Sequence, residues 1–309
     1  MTPPVAASAS KRRGLEATST SGHHFTILAI DHIGSFAQIM RPDSPGLVTL
    51  DQMAKAKSEI VSRLGNLCSA VLLDPLIGAR RGGETLAGKT GLVLGIEDSD
   101  AVASSGGVRL HEGWNVSRAA ASGADAVKIS FRFDPMADTG PVELFVAQIA
   151  AECDRAGLAL FAEPLGVIRN PRERREVIVE AARRFGALGV DVLKLEFPED
   201  VSIVADVDEW SAGCAEVDSA AAVPWTLLSA GEDFDRFARM LKVACDHGAS
   251  GFVVGRAVWQ EAVSGGNVDP RRMEAAAGRV RQLTSITQTS ARPWSAARNS
   301  PVPDVEGRI

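Results

Sequence analysis

Two lysines close apolar runs in this chain: Lys194 in Val190-Asp191-Val192-Leu193-Lys194-Leu195-Glu196, and Lys128 in Ala124-Asp125-Ala126-Val127-Lys128. An ammonium drawn into an apolar interior loses hydration, and a neighbouring positive charge disfavours it further, so its amine can act as a nucleophile near neutral pH. One such lysine, taken alone, more often snorkels to solvent at a strand end. A pair set in a repeating strand and helix pattern points instead to Schiff-base chemistry on a carbonyl.

The elements that must position these lysines are legible as eight short apolar runs, Thr26 to Ile30, Ala70 to Leu73, Leu92 to Ile96, Ala126 to Ile129, Leu158 to Ala162, Val190 to Leu195, Thr226 to Leu228 and Gly251 to Val254. Segments with apolar residues every three or four positions alternate with them, as in Leu50 to Leu64, Pro141 to Ala156, Pro171 to Phe185 and Phe234 to His247. Near-continuous apolar strands separated by helix-length stretches predict a parallel sheet covered by helices, and eight units close most economically into a (β/α)8 TIM barrel, a single α/β domain. An open doubly wound sheet is the rival. The first strand, however, is followed by Asp31-His32-Ile33-Gly34-Ser35 and not by the G-x-G-x-x-G turn of a dinucleotide site. The barrel is expected over residues 25–283. Residues 1–24 are expected to be an N-terminal extension, mobile at its start and then a short helix, with Lys11, Arg12 and Arg13 on a solvated face. Residues 284–309 are expected to be a loosely attached C-terminal tail.

A barrel of this kind carries its active site at the carboxyl ends of its strands. The residues closing the runs are Asp31 and His32, Asp74, Glu97, Lys128, Glu163, Lys194, Ser229 with Gly231, and Gly255 with Arg256. Lys128 and Lys194 close strands four and six, and alternate strands share a barrel layer, so their heads can meet. Glu163, on the strand between them, is placed to shuttle the protons that carbinolamine and imine steps require. Asp31 can orient a substrate hydroxyl or hold Lys128 charged. Asp74 and Glu97 read as helix caps or loop anchors. Ser229, Gly231, Gly255 and Arg256 follow strands seven and eight, where backbone N–H groups, close-approach glycines and an arginine fork suit a phosphate. Arg80, Arg81 and Arg132 read as exposed loop arginines that can meet a second anionic group.

The 309 residues have a formal net charge of -6 and no long basic run, so nucleic acid and anionic membranes are not expected as partners. No apolar run nears the roughly 20 residues of a bilayer span, the start lacks a signal-peptide core, and a cytoplasmic location is expected. Cys68, Cys153, Cys214 and Cys245 are scattered without C-x-x-C spacing and read as buried, inert thiols. The five histidines do not cluster as zinc ligands, so the expected chemistry calls for no metal and no cofactor.

The run from Lys11 to Val263 resembles the tagatose 1,6-bisphosphate aldolase group of class I aldolases and, more distantly, deoxyribose-phosphate aldolase. The resemblance rests on Leu28-Ala29-Ile30-Asp31-His32, Leu73-Asp74-Pro75, Gly123 to Lys128, Glu163-Pro164-Leu165, Asp191-Val192-Leu193-Lys194, Leu228-Ser229-Ala230-Gly231 and Gly255-Arg256-Ala257-Val258-Trp259. It implies Lys194 as the Schiff-base lysine, Glu163 as the proton-transfer residue, Lys128 as its charged neighbour and Asp31 as a substrate-orienting acid. Ser229, Gly231, Gly255 and Arg256 become the phosphate contacts, and a homodimer is expected. The chain departs from that group where Asp-Gln-Arg-Gly becomes Asp31-His32-Ile33-Gly34, where a Tyr-containing segment becomes Ile96-Glu97-Asp98-Ser99, and in having no tyrosine at all. The implied activity is cleavage or formation of a C–C bond in a phosphorylated ketose, giving dihydroxyacetone phosphate and an aldehyde. An aldolase for 6-deoxy-6-sulfofructose 1-phosphate, with a sulfonated sugar, is the sister specificity. An isomerase or epimerase using Glu163 and Lys128, or a non-catalytic sugar-phosphate sensor, are the readings from other classes.

Overall fold

A computed structural model of the chain describes residues 9–78, 86, 90–98, 102, 108–263 and 266–296. The eight apolar runs form eight parallel strands: β1 Phe25–Ile30, β2 Ala70–Leu73, β3 Gly91–Gly95, β4 Ala126–Phe133, β5 Ala159–Gly166, β6 Val192–Leu195, β7 Trp225–Leu228 and β8 Gly251–Val254. They pair in chain order, and β8 returns to β1 with Phe25 opposite Gly251, which closes the barrel. The alternation of the strands sorts their side chains into two cores. Ile27, Ala29, Leu72, Val93, Phe161, Val192 and Val253 fill the barrel interior. Leu28, Ile30, Leu73, Leu94, Val127 and Leu193 face outward into the larger core under the helices.

Two strands run further than their apolar signal. β4 continues through Ser130 and Arg132 to Phe133, and β5 carries Glu163 within it and ends at Gly166. Their pairing holds for eight residues, with Ser130 opposite Glu163. The polar residues that hide these strand ends from a hydrophobicity reading are the ones that point into the open end of the barrel.

The short helix expected in the N-terminal extension is present, but the packing of Lys11 and the course of the chain past residue 284 differ from expectation. Helix α1, Ala9–Ala17, inserts Leu15 into the interior core. Its Lys11 does not lie on a solvated face: it is 3% exposed and pairs with Asp154 at 2.5 Å and Asp191 at 2.9 Å. The mobile start expected before this helix lies outside the described residues. At the other end a long helix, Pro270–Ser290, is started by Asp269, whose side chain accepts from the Arg271 and Arg272 N–H groups. This helix runs through the boundary expected at residue 284, because Val280, Leu283 and Thr287 remain on its buried face. Beyond it the chain is docked. Trp294 stacks on His23 at 5.0 Å and donates from Nε1 to Ser19 Oγ at 2.9 Å, and Arg292 pairs with Asp218 at 2.8 Å. Residues 297–309 of the expected tail lie outside the described residues. Among the described residues no helix is long and apolar enough to cross a membrane, and no group of His, Cys, Asp and Glu is arranged to hold a metal ion. The four cysteines are free and buried, and burial pushes their thiols well above the ordinary thiol range.

Candidate active site

A cavity of about 530 Å³ opens at the carboxyl ends of the strands. Asp31, Lys128, Glu163, Lys194, Ser229, Gly255 and Arg256 all line it. Below it, Ile27, Leu72, Val93, Phe161 and Val253 surround the two lysine stems, so the amines are carried on an apolar floor. Lys128 is 3% and Lys194 6% exposed.

Glu163 joins the two lysines. Its Oε1 lies 2.7 Å from Lys194 Nζ, and its Oε2 lies 2.9 Å from Lys128 Nζ and accepts from Ser130 Oγ at 2.5 Å. Lys128 also donates to Asp31 Oδ2 at 2.8 Å and to Glu97 Oε1 at 2.5 Å. Lys128 is therefore surrounded by three carboxylates, whereas Lys194 meets one among the described residues. This asymmetry separates the two amines chemically.

Burial works against the charge of Lys128, yet Asp31, Glu163 and Glu97 outweigh it and hold the ammonium well above its ordinary range. Burial likewise opposes ionisation of Glu163, but Lys128 and then Lys194 bring its carboxyl down to about 2. Asp31 is held well below the usual carboxylate range, with burial overcome by Lys128 first. Glu97 moves the other way. Burial raises it, Lys128 offsets this only in part, and the charges of Asp31 and Glu163 add to the rise. At neutral pH the cluster thus holds a fixed ammonium on Lys128 and a carboxylate on Glu163 whose Oε1 faces Lys194 Nζ.

The turn after β7 is built for close approach. Ala230 and Gly231 both have positive φ, 49° and 85°, and Glu232 N–H closes the turn on the Ser229 carbonyl at 2.9 Å. Gly231 is not among the residues lining the cavity; its positive φ favours glycine, and the Arg256 guanidinium lies within ordinary contact distance of it. Arg256 opens the helix Arg256–Val263 directly after Gly255. A Cβ on Gly255 would meet the Ala29 carbonyl at 3.0 Å and His32 Cε1 at 3.3 Å. Backbone, hydroxyl and guanidinium thereby converge at one end of the cavity, the arrangement a phosphate group requires.

Several residues of the site were not anticipated as such. Glu97, read as a loop anchor, is a buried partner of Lys128, because the chain turns back after β3 and its 97–110 bridge points the carboxyl inward. Asp74 does hold a loop: it accepts from the backbone N–H groups of Leu76, Ile77 and Gly78 and pairs with buried Lys57. Ser130 gives no sequence signal beyond its two-residue spacing from Lys128, which puts both on the inner face of β4. His32 and Glu196 also line the cavity, as does Arg132, although that side chain is exposed as expected. Glu196 is held by Arg174 at 3.1 Å and by Gly166 N–H at 2.9 Å. Arg80 and Arg81 lie outside the described residues.

The sequence profile of the DeoC/LacD family aldolases matches residues 25–261, the span of the barrel from β1 to the helix after β8. Tagatose 1,6-diphosphate aldolase 1 of Streptococcus pyogenes is 27% identical over 323 aligned positions, which cover 93% of this chain and 98% of that enzyme. The tagatose 1,6-diphosphate aldolase of Staphylococcus epidermidis is 26% identical, covering 92% and 97%. Among solved structures, a Schiff-base-forming fructose-1,6-bisphosphate aldolase superposes with a TM-score of 0.62 at 19% identity, covering 89% of this chain and 98% of that one. The fructose-bisphosphate aldolase of Plasmodium falciparum gives 0.68 at 12% identity, covering 94% and 98%. At those identities the structures share the fold. The profile match over most of the chain carries more, and by it the protein belongs to the DeoC/LacD family of aldolases.

Proposed function

We propose that the protein is a class I aldolase acting on a phosphorylated ketose, with Lys194 as the Schiff-base lysine. The asymmetry of the two lysines carries this reading. Three carboxylates bind Lys128 to its charge, while Lys194 faces only the Oε1 atom of Glu163 among the described residues. Lys194 gives a proton to Glu163 and its amine attacks the ketone carbon, forming a carbinolamine. Glu163 returns the proton to the departing hydroxyl, water leaves, and an iminium remains. When the bond between the carbons α and β to the iminium breaks, Glu163, a carboxylate again after dehydration, takes the proton of the β hydroxyl, that carbon becomes the aldehyde, and the bonding electrons flow into the iminium to give an enamine. Protonation and hydrolysis release dihydroxyacetone phosphate from Lys194. Lys128 stays protonated and stabilises the oxyanions formed along this course, with Ser130 keeping Glu163 in place.

The phosphate of the ketone half sits against Ser229, Gly255 and Arg256, with Gly231 supporting the guanidinium. The relatives named above act, by their names, on tagatose 1,6-diphosphate, which supports a bisphosphate ketose as the first substrate to test. A cytoplasmic homodimer fits the same reading, and sedimentation would check its assembly.

Borohydride reduction in the presence of dihydroxyacetone phosphate, followed by peptide mapping, tests the proposal. A mass increase on the Lys194 peptide that disappears in Lys194→Met is the expected result. No adduct with this compound, with tagatose and fructose bisphosphates, or with 6-deoxy-6-sulfofructose 1-phosphate would remove the class I reading and bring forward an isomerase working through Glu163 and Lys128.

A further inference from the structure

Two buried polar atoms face one another in the cavity with no hydrogen-bond partner, Asp31 Oδ1 and His32 Nδ1, 3.5 Å apart. Unpaired polar atoms held out of water are costly, and where they border a substrate cavity the substrate is the natural partner. Asp31 cannot turn away, because Lys128 holds its other oxygen at 2.8 Å. His32 is equally fixed. Its ring lies edge-on to Trp259 at 6.2 Å, Trp259 is tied by Nε1 to the Ala29 carbonyl at 2.9 Å, and the ring takes the space that a Cβ at Gly255 would crowd, 3.3 Å from His32 Cε1.

The charged groups facing the pair are the cations Lys128 on β4, Lys194 on β6 and Arg256 after β8, with Glu97 and Glu163 on the far side of Lys128 also acting on Asp31. Burial, opposed by Asp31 and assisted by Arg256 and the two lysines, lowers the His32 imidazole to about 4. The ring is therefore neutral at working pH and offers one N–H and one lone pair. Two atoms 3.5 Å apart can both reach a single hydroxyl oxygen placed between them at ordinary hydrogen-bond length. That hydroxyl would donate to Asp31 Oδ1 and accept from His32 Nδ1–H.

We propose that His32 is a specificity-determining residue which, with Asp31, reads the hydroxyl next to the ketone in the phosphate-bearing half of the substrate. His32 and Gly255 line the same cavity, and a Cβ on Gly255 would come 3.3 Å from His32 Cε1, so the pair lies beside the phosphate turn and addresses the half that remains on Lys194. After cleavage this half carries a phosphate, the ketone and one hydroxyl. The inference rests on the Schiff-base reading above and adds the group that selects the donor. A site built to pair a hydroxyl rejects the analogue lacking it, because its own polar groups are then left buried and unpaired.

Dihydroxyacetone phosphate and hydroxyacetone phosphate differ only in that hydroxyl, and borohydride-trapped imine gives an apparent Kd for each. Wild type should favour dihydroxyacetone phosphate by about a hundredfold or more. In His32→Leu this preference should fall at least tenfold through weaker binding of dihydroxyacetone phosphate alone, with hydroxyacetone phosphate within about threefold of wild type. His32→Gln, which keeps an N–H, should retain part of the preference. Equal loss for both ligands in His32→Leu would mark a merely structural ring and overturn the inference. An imine in wild type with no preference between the ligands would overturn it without any variant, and would leave the Schiff-base reading standing. Absence of imine with either ligand would instead strike at that reading.

Discussion

At the scale of single residues, the site is a small electrostatic device in which Glu163 has two neighbours and two duties. Glu163→Gln keeps the shape and loses the proton. Turnover should fall by about a hundredfold or more, the usual weight of a positioned acid–base group, with KM nearly unchanged in steady-state assays. Glu97 touches Lys128 and not the cavity, so its effect is indirect. Removing its charge in Glu97→Gln takes away one of the three carboxylates that raise Lys128, and the alkaline limb of the kcat/KM profile should move to lower pH. His32 supplies a stability signature with a definite sign. Its folded value, about 4, lies below the ordinary 6.5, so the unfolded chain binds more protons between these values and stability falls as the pH drops from about 6.5 towards 4. His32→Gln should flatten the dependence of Tm on pH in that window. Glu163, depressed to about 2, adds a separate loss from about pH 4.5 downward.

At the scale of elements, the active end of the barrel depends on two long central strands and on the closure of the opposite end. The eight-residue pairing of β4 with β5 puts Lys128, Ser130 and Glu163 on rigid backbone. The opposite end is stoppered by α1, whose Lys11 is buried between Asp154 and Asp191. Lys11→Met leaves Asp191 buried without its cation and should cost about 3 kcal/mol in urea unfolding. Catalysis should survive, with kcat within about twofold below the melting range, since α1 sits at the end of the barrel away from Lys194. Gly251 has φ 130° and lies so close to the Phe25 backbone that a Cβ has no space. Gly251→Ala should therefore separate β8 from β1 and lower Tm by several degrees, which differential scanning calorimetry would show.

At the scale of the whole molecule, a chain of formal charge -6 still brings Lys128, Lys194 and Arg256 into one cavity, beside Asp31, Glu163 and Glu196. A phosphorylated ligand that binds only the folded protein must raise Tm with the logarithm of its concentration once above its Kd. Dihydroxyacetone phosphate should do so in wild type, and Arg256→Ala should cancel most of the rise while leaving the unliganded Tm nearly unchanged. An equal rise in the variant would move the phosphate site elsewhere.

The linear chain determined the eight strands, the closed barrel and the placing of Lys128, Lys194, Glu163 and Asp31 at the carboxyl ends of its strands, because each follows from local facts: an apolar run, its period, and the residue that ends it. The same local logic failed wherever the decisive partner was distant in sequence. Lys11 looks like one of three surface cations until Asp154 and Asp191 meet it, and the chain after residue 284 looks polar until its buried stripe and Trp294 find the barrel. Glu97 looks like a loop residue until the closed sheet swings it onto Lys128. Which lysine is locked in its charge, and which meets a single carboxylate among the described residues, is decided by five strands, β1, β3, β4, β5 and β6, converging within hydrogen-bond distance, and only the tertiary structure brings those charges together.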